Sequence, residues 1–189
     1  MNTDLEIIKS RLKKPVVVIG LMGAGKTKIG GLLAAVLSLP FVDADHEIEA
    51  AAGCSVSDIF EIHGEPRFRD LERQVLKRLV TGDVQVIAPG GGAVMNEQTA
   101  EMVFGNAITV WLKADLDVLL ERTGRSDKRP LLRNGDPRAI LQELMEKRYP
   151  VYGRAAVTVQ TEALPPENNL EKVIKALAGY LSARDTAIL

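Results

Sequence analysis

The sequence predicts an α/β fold, a parallel sheet covered by helices on both faces. Two observations carry this. Short apolar runs alternate along the chain with longer segments whose apolar residues recur at helical spacing. The first apolar run also feeds a glycine-rich loop, G-L-M-G-A-G-K-T at 20–27, with a helical pattern starting at its lysine. The chain has 189 residues, 46% of them hydrophobic and 26% charged, with net charge −1. That length is most simply one domain, large enough to bury a core. The charge balance gives no global attraction to nucleic acid or an anionic membrane.

The elements follow in order. Residues 1–14 are charged and precede the first strand, as a short helix or a loose tail. Lys9, Arg11, Lys13 and Lys14 ahead of an apolar stretch mimic a secretory signal, but that stretch holds three glycines and the loop itself. Residues 16–19 read as a strand and 26–37 as a helix; 41–42 form the second strand. Ser55-x-x-Asp58 is a capping box that starts a helix over 55–62, followed by another over 66–80. Strands over 84–88, 108–112 and 157–160 alternate with helices over 97–104, 116–122, 137–147 and 170–182. The stretch 124–136 lacks periodicity and carries Gly, Pro and many charges, the pattern of a mobile lid. The longest uncharged run, 29–42, is too short to cross a bilayer as a helix.

The loop at 20–27 has the spacing G-x-x-x-x-G-K-[ST]. Its glycines let backbone N–H groups close around phosphate oxygens, and the following helix offers its positive end to the same anion. Gly23, Ala24, Gly25, Lys26, Thr27 and Lys28 are therefore candidate nucleotide contacts, with Lys26 reaching the terminal phosphates and Thr27 holding Mg²⁺ through its hydroxyl. Ligands should gather at the carboxyl ends of the strands. There the second strand ends in Asp43-Ala44-Asp45, whose carboxylates share one side if the segment stays extended. Strand 84–88 ends in Pro89 and three glycines and offers no acid, so Asp43 is the natural Mg²⁺ ligand and Asp45 is left for a substrate hydroxyl. The plainer alternative makes both acids turn or cap residues of a helix beginning near His46. Gly90, Gly91 and Gly92 mark a second close backbone approach, or a tight turn.

Arg67, Arg69 and Arg73 share a helical segment with Glu65, Asp70 and Glu72, which by itself suggests a solvated face. Arg122, Arg125, Lys128, Arg129 and Arg133 crowd the lid region, opposed inside it by Asp127, as expected where polyphosphate is enclosed. Arg148 and Arg154 flank Y-P-V-Y near a helix end. His46 and His63 have no zinc-spaced partners and read as helix-end residues; the lone Cys54, between Gly53 and Ser55, reads as a filler. A single cysteine fits a reducing cytoplasm.

Taken together these pieces resemble the shikimate kinase family. G-L-M-G-A-G-K-T-K-I-G (20–30) looks like its phosphate loop, and F-V-D-A-D-H-E-I-E (41–49) resembles its second strand and following helix. I-F-E-I-H-G-E-P-R-F-R-D-L-E (59–72) resembles its substrate-binding helix pair, and P-G-G-G-A-V (89–94) its glycine triplet. K-R-P-L-L (128–132) looks like its lid, and R-Y-P-V-Y (148–152) resembles its second arginine site. The likeness spans roughly 15–180; the segment 1–14 stands outside it as an N-terminal extension to a single domain over 15–189. Thr27-Lys28 stands where the family often shows Ser-Thr, and the adenine loop near 161–166 is a departure.

The resemblance implies a nucleoside monophosphate kinase-like, three-layer fold with a five-stranded parallel sheet. It implies transfer of the ATP γ-phosphate to the 3-hydroxyl of shikimate, with Mg²⁺, in a cytoplasmic monomer that binds neither nucleic acid nor membrane. Carried over, Lys26, Asp45 and Arg129 are catalytic, and Asp45, Arg69, Gly91, Gly92 and Arg148 hold shikimate. Thr27 and Asp43 serve the metal, Arg122 lies near adenine, and Arg129 reaches from the lid to the phosphates. A gluconate-type sugar-acid kinase shares the loop but not the Asp43/Asp45 pair combined with Arg69 and the glycine triplet. A catalytically silent nucleotide-binding regulator would be expected to lack the lysine, an aspartate or the lid arginine, and all are present.

Overall fold

The computed structural model describes residues 2–124 and 135–186. The elements run α1 (Asn2–Arg11), β1 (Val16–Ile19), α2 (Lys26–Leu37), β2 (Phe41–Asp43), α3 (Ala44–Ala52), α4 (Val56–Val80) and β3 (Val86–Ala88). After a short 3-10 turn at Ala93–Met95 come α5 (Glu97–Asn106), β4 (Ile108–Ala114), α6 (Leu116–Gly124), α7 (Pro137–Tyr152), β5 (Val157–Thr161) and α8 (Pro166–Thr186). The five strands form one parallel sheet in the order β2-β3-β1-β4-β5.

Sheet position explains strand composition. β1 is central, pairing Val16 with both Val86 and Ile108, and all four of its side chains are buried. Each aliphatic side chain so buried is worth about 1.5–3 kcal/mol, so β1 gives the following loop a rigid base. β5 is an edge strand and alternates buried Val157, Val159 and Thr161 with exposed Thr158 and Gln160. The chain leaves β1 toward one edge of the sheet and β4 toward the other. The topological switch, where ligands settle in open parallel sheets, is therefore at the β1/β4 pair.

Several elements differ from the sequence expectation for local reasons. The segment after β2 does not stay extended. Asp43 ends the strand and its side chain accepts the Asp45 N–H (3.1 Å), capping α3 at Ala44. Helices 55–62 and 66–80 are both present but stack as one element, α4, broken at Gly64 (φ 76°, ψ 171°), with Pro66 opening the second part. The Ser55–Asp58 capping box is formed. β3 is shorter than 84–88, and β4 runs on through Lys113 to Ala114. α7 continues past 147, through Pro150, to Tyr152. Of the two readings of the segment before β1, the short helix holds. α1 packs on α8 and α2, buries Ile8 and Leu12 in the common core, and Lys14 Nζ donates to the Gly105 carbonyl (2.9 Å). Among the described residues, no helix is long and apolar enough to cross a membrane.

Candidate active site

The carboxyl end of β1 turns sharply at Gly20 (φ 152°), where a Cβ would stand 2.8 Å from the Leu112 carbonyl oxygen. Gly25 caps α2 at φ 97°, a left-handed conformation that strains other residues, with no side-chain cap over the helix N-terminus. The first-turn N–H groups of α2 therefore face outward, as an anion requires. Lys26 folds back over the loop and donates to the Gly20 (3.0 Å) and Leu21 (3.3 Å) carbonyls. Thr27 Oγ1 donates to Asp43 Oδ2 (3.2 Å), joining the loop to the end of β2. Together with Met22, Gly23, Gly25, Lys28 and Arg122, Lys26 and Thr27 line a cleft of about 290 Å³.

Arg122 reaches this cleft from α6. Its Nη1 donates to the Gly23 (3.3 Å) and Ala24 (3.4 Å) carbonyls and its Nη2 to the Glu162 carbonyl. Partial burial lowers its pKa. A neighbouring space of about 290 Å³ extends past Arg122 to Leu164, Pro166 and Asn169. Asn169, buried at the start of α8, accepts the Glu162 N–H (3.1 Å) and donates to the Glu162 carbonyl (3.2 Å). That clasp shapes the 161–166 loop.

A second cleft, of about 200 Å³, opens on the other side of Met22 and Lys26. It brings together Asp45 from the first turn of α3, Arg69 and Glu72 from α4, the Gly90–Gly92 turn after β3, and Arg148 from α7. Three cations, Lys26, Arg69 and Arg148, face two carboxylates, a balance that accepts one anion. Arg69 is bridged by Nη1 to Glu72 Oε2 (2.7 Å) and by Nη2 to Glu65 Oε1 (3.0 Å). Glu72 is only 3% exposed. Burial raises its pKa more than the Arg69 guanidinium lowers it. Burial also raises the pKa of Asp45, helped by the nearby Asp43 charge and opposed by Lys26.

The glycine triplet is what lets these groups converge. A Cβ at Gly90 would stand 3.2 Å from Asp45 Oδ1 and 3.3 Å from Glu72 Oε1. At Gly91 it would stand 3.0 Å from Arg148 Nη1, and at Gly92 3.1 Å from Arg69 Nη2. Each glycine thus has a charged group packed against it where a side chain would intrude.

Lys26, Asp45, Arg69, Gly91, Gly92 and Arg148 share the second cleft, while Gly23, Gly25, Lys26, Thr27, Lys28 and Arg122 share the first. Ala24 contributes its backbone carbonyl. Arg129 and the other lid cations between 125 and 134 lie outside the described residues. Two expectations are corrected. Asp43 and Asp45 do not share one side of an extended segment; a helix cap separates them, and Asp45 enters the cleft from α3 while Asp43 faces Thr27. The charged face of α4 is not simply solvated, because Arg69 and Glu72 turn inward. Sequence reasoning missed Glu72, Phe68, Asn169 and Tyr152. The available signal for two of them was helical spacing: Glu72 follows Arg69 by three residues and Tyr152 follows Arg148 by four, so each pair shares a face. Among the described residues, no cluster of three or more acids, histidines or cysteines forms a metal cage.

A family model described as shikimate kinase matches residues 22–178. A shikimate kinase from Rhodopseudomonas palustris is 45% identical over 180 residues, covering 95% of this chain and 89% of that one. The solved shikimate kinase from Acinetobacter baumannii, in complex with shikimate, superposes with a TM-score of 0.84 at 33% identity, covering 93% of this chain and 97% of that one. A gluconokinase from Sinorhizobium meliloti, at 19% identity over 94% of this chain and 98% of that one, and a TM-score of 0.59, shares the fold alone.

Proposed function

Because the chain belongs to the shikimate kinase family, we propose that its two clefts divide one phosphoryl transfer between them. The protein is an ATP-dependent kinase that transfers the γ-phosphate to the 3-hydroxyl of shikimate, giving shikimate 3-phosphate and ADP. The observation that carries the assignment of residues is the shared wall: Lys26 and Met22 line both clefts. A phosphate held on one side and a hydroxyl on the other would meet at Lys26.

In this reading the N–H groups of 23–28 cradle the phosphates, and Lys26 exchanges its carbonyl contacts for phosphate oxygens. Arg122 borders the adenine space with Leu164 and Pro166. Asp45 accepts the hydrogen of the reacting hydroxyl. Its raised pKa makes it a better proton acceptor than an ordinary aspartate, though phosphoryl transfer depends mostly on positioning and charge. The shikimate carboxylate must lie away from the γ-phosphate, which would repel it. Arg69 and Arg148, on either side of Gly91 and Gly92, are the cations placed to take it.

The Thr27–Asp43 pair fits Mg²⁺: one hydroxyl and one carboxylate, 3.2 Å apart, at the edge of the phosphate cleft. Mg²⁺ in kinases is held by one or two such groups, with phosphates and waters completing the shell. When bound it neutralises charge on the β- and γ-phosphate oxygens. The lid role of Arg129 and a cytoplasmic, monomeric state belong to the same proposal. The single cysteine, which fits a reducing compartment, supports the location.

Titration calorimetry with shikimate and its neutral carboxamide tests the arginine assignment. Wild type should prefer the acid strongly, and Arg69→Ala and Arg148→Ala should each lose most of that preference. An unchanged acid-to-amide ratio in both variants would place the carboxylate elsewhere.

A further inference from the structure

We infer that Tyr152 is a positioning residue for the reaction: its phenol fixes the Gly91 carbonyl beside the Arg148 guanidinium and so sets the seat for the substrate carboxylate. The inference rests on the reading that Arg148 binds that carboxylate.

Tyr152 ends α7 and its side chain is fully buried. A buried phenol needs a partner, and this one donates to the Gly91 carbonyl, 61 residues away in sequence. Arg148, one helical turn earlier, sets its guanidinium beside Gly91, and its positive charge lowers the phenol pKa against the larger effect of burial. A carbonyl can only accept, so the polarity is fixed: the phenol donates to Gly91. The three groups converge at one point. A Cβ on Gly91 would lie 3.0 Å from Arg148 Nη1, 3.4 Å from the Gly20 carbonyl and 3.8 Å from Tyr152 Oη.

The consequence for the cleft follows from peptide planarity. The Gly91 carbonyl and the Gly92 N–H belong to one planar trans unit and point in opposite directions. Holding the carbonyl on the phenol turns the Gly92 N–H away from α7. Glycine has the widest conformational freedom of any residue, so an untethered triplet would sample many orientations of this unit. The ring itself is wedged against Trp111 (centroids 6.0 Å, 60°) and Tyr149 (6.3 Å, 40°), so the anchor is stiff. Burial pushes the phenol pKa up, which keeps the donor protonated through neutral and mildly basic pH.

Tyr149 provides the control. It lies on the same helix, meets the same Trp111 edge-on, and its phenol donates to a backbone carbonyl, Ala114 (2.6 Å), rather than to the glycine triplet. Tyr149→Phe therefore removes a comparable bond without touching the triplet.

The test is steady-state kinetics on Tyr152→Phe, Tyr149→Phe, Arg148→Ala and the Arg148→Ala/Tyr152→Phe double variant. Emission from Trp111, the one tryptophan, serves as the check of fold. Tyr152→Phe should raise the shikimate KM roughly three- to tenfold, the size of one neutral hydrogen bond. Its kcat and ATP KM should stay within about twofold, as expected for a group that acts on one substrate's binding. Tyr149→Phe should leave the shikimate KM unchanged. In the double variant Tyr152→Phe should add little to Arg148→Ala, because the two act on one contact. Equal KM changes in both tyrosine variants, no change in Tyr152→Phe, or full additivity with Arg148→Ala would overturn the inference. If Arg148→Ala itself leaves the shikimate KM unchanged, the carboxylate assignment fails first and the role of Tyr152 falls with it.

Discussion

Replacing Arg69 with alanine should have two separable consequences, one on stability and one on binding. The guanidinium bridges Glu72 at 2.7 Å, and the Glu72 side chain is 4% exposed against 37% for Arg69. Removing one partner of a buried pair costs about 3–5 kcal/mol, because the other charge is left uncompensated. Arg69 is more than a third exposed, so solvent screens part of this, and roughly 1.5–3 kcal/mol is expected. For a chain of this length that lowers the melting temperature by roughly 3–12 °C. The loss should depend on pH. Burial already raises the pKa of Glu72 above its ordinary 4.5, and the Arg69 hydrogen bond and charge are the two largest influences holding it down. Without them it rises further. A carboxyl whose folded pKa is raised contributes stability below its unfolded pKa and loses it as pH rises through the folded value. The gap between Arg69→Ala and wild type should therefore be small near pH 4 and grow toward neutrality. Arg69→Ala/Glu72→Gln should regain most of the stability and lose the pH dependence. Shikimate binding should stay weakened in both variants by roughly ten- to a hundredfold or more, the loss of a charge-assisted hydrogen bond. Urea denaturation at pH 5 and pH 8, with calorimetric shikimate titration, measures both effects. A stability gap independent of pH, or binding restored by Glu72→Gln, would refute the reasoning.

Three further outcomes are expected. Lys26→Ala should lose two or more orders of magnitude in turnover, roughly the effect of removing a preorganised charge from a transition state, while its circular dichroism stays native. Near-normal turnover would remove Lys26 from the phosphate site. Asp45→Asn should weaken both shikimate binding and rate but keep ATP binding, since the amide is nearly isosteric but accepts no proton; if Asp43→Asn shows this defect instead, the two roles are reversed. The shikimate kcat/KM should fall on acidification with an inflection above 3.8, because burial and Asp43 raise the Asp45 pKa and the ionised form is the acceptor. The stability contribution of Asp45 runs the other way and is lost as pH rises through its folded pKa. A pH–rate profile that Asp45→Asn leaves unmoved would count against this.

What the sequence made legible was local. The phosphate loop occupies eight consecutive residues that run from the end of a strand into the first turn of a helix, so its geometry follows from its own glycines. The Ser55–Asp58 box was legible for the same reason. Asp43 and Asp45 were legible as chemistry but not as geometry. Pleat alternation and a helix cap are both open to an aspartate after a short strand, and the cap won because Asp43 satisfies the Asp45 N–H. The substrate cleft was legible chiefly through family resemblance. Its members come from five distant segments, and nothing local separates Arg69 from a solvated helix charge until Gly92 and Glu72 are packed against it. Helical spacing could place Tyr152 on the face of Arg148 but not show its role, and Asn169 gave no signal at all, because the meaning of both lies in backbone contacts made by the fold, to Gly91 and Glu162.

The most direct measurement is coupled ADP release with purified protein, ATP and Mg²⁺, comparing shikimate, gluconate and no acceptor. The account predicts ADP formation that depends on shikimate, matches the shikimate 3-phosphate formed, and collapses in Lys26→Ala and Asp45→Asn. ADP release that ignores shikimate, or that gluconate supports equally well, would contradict it.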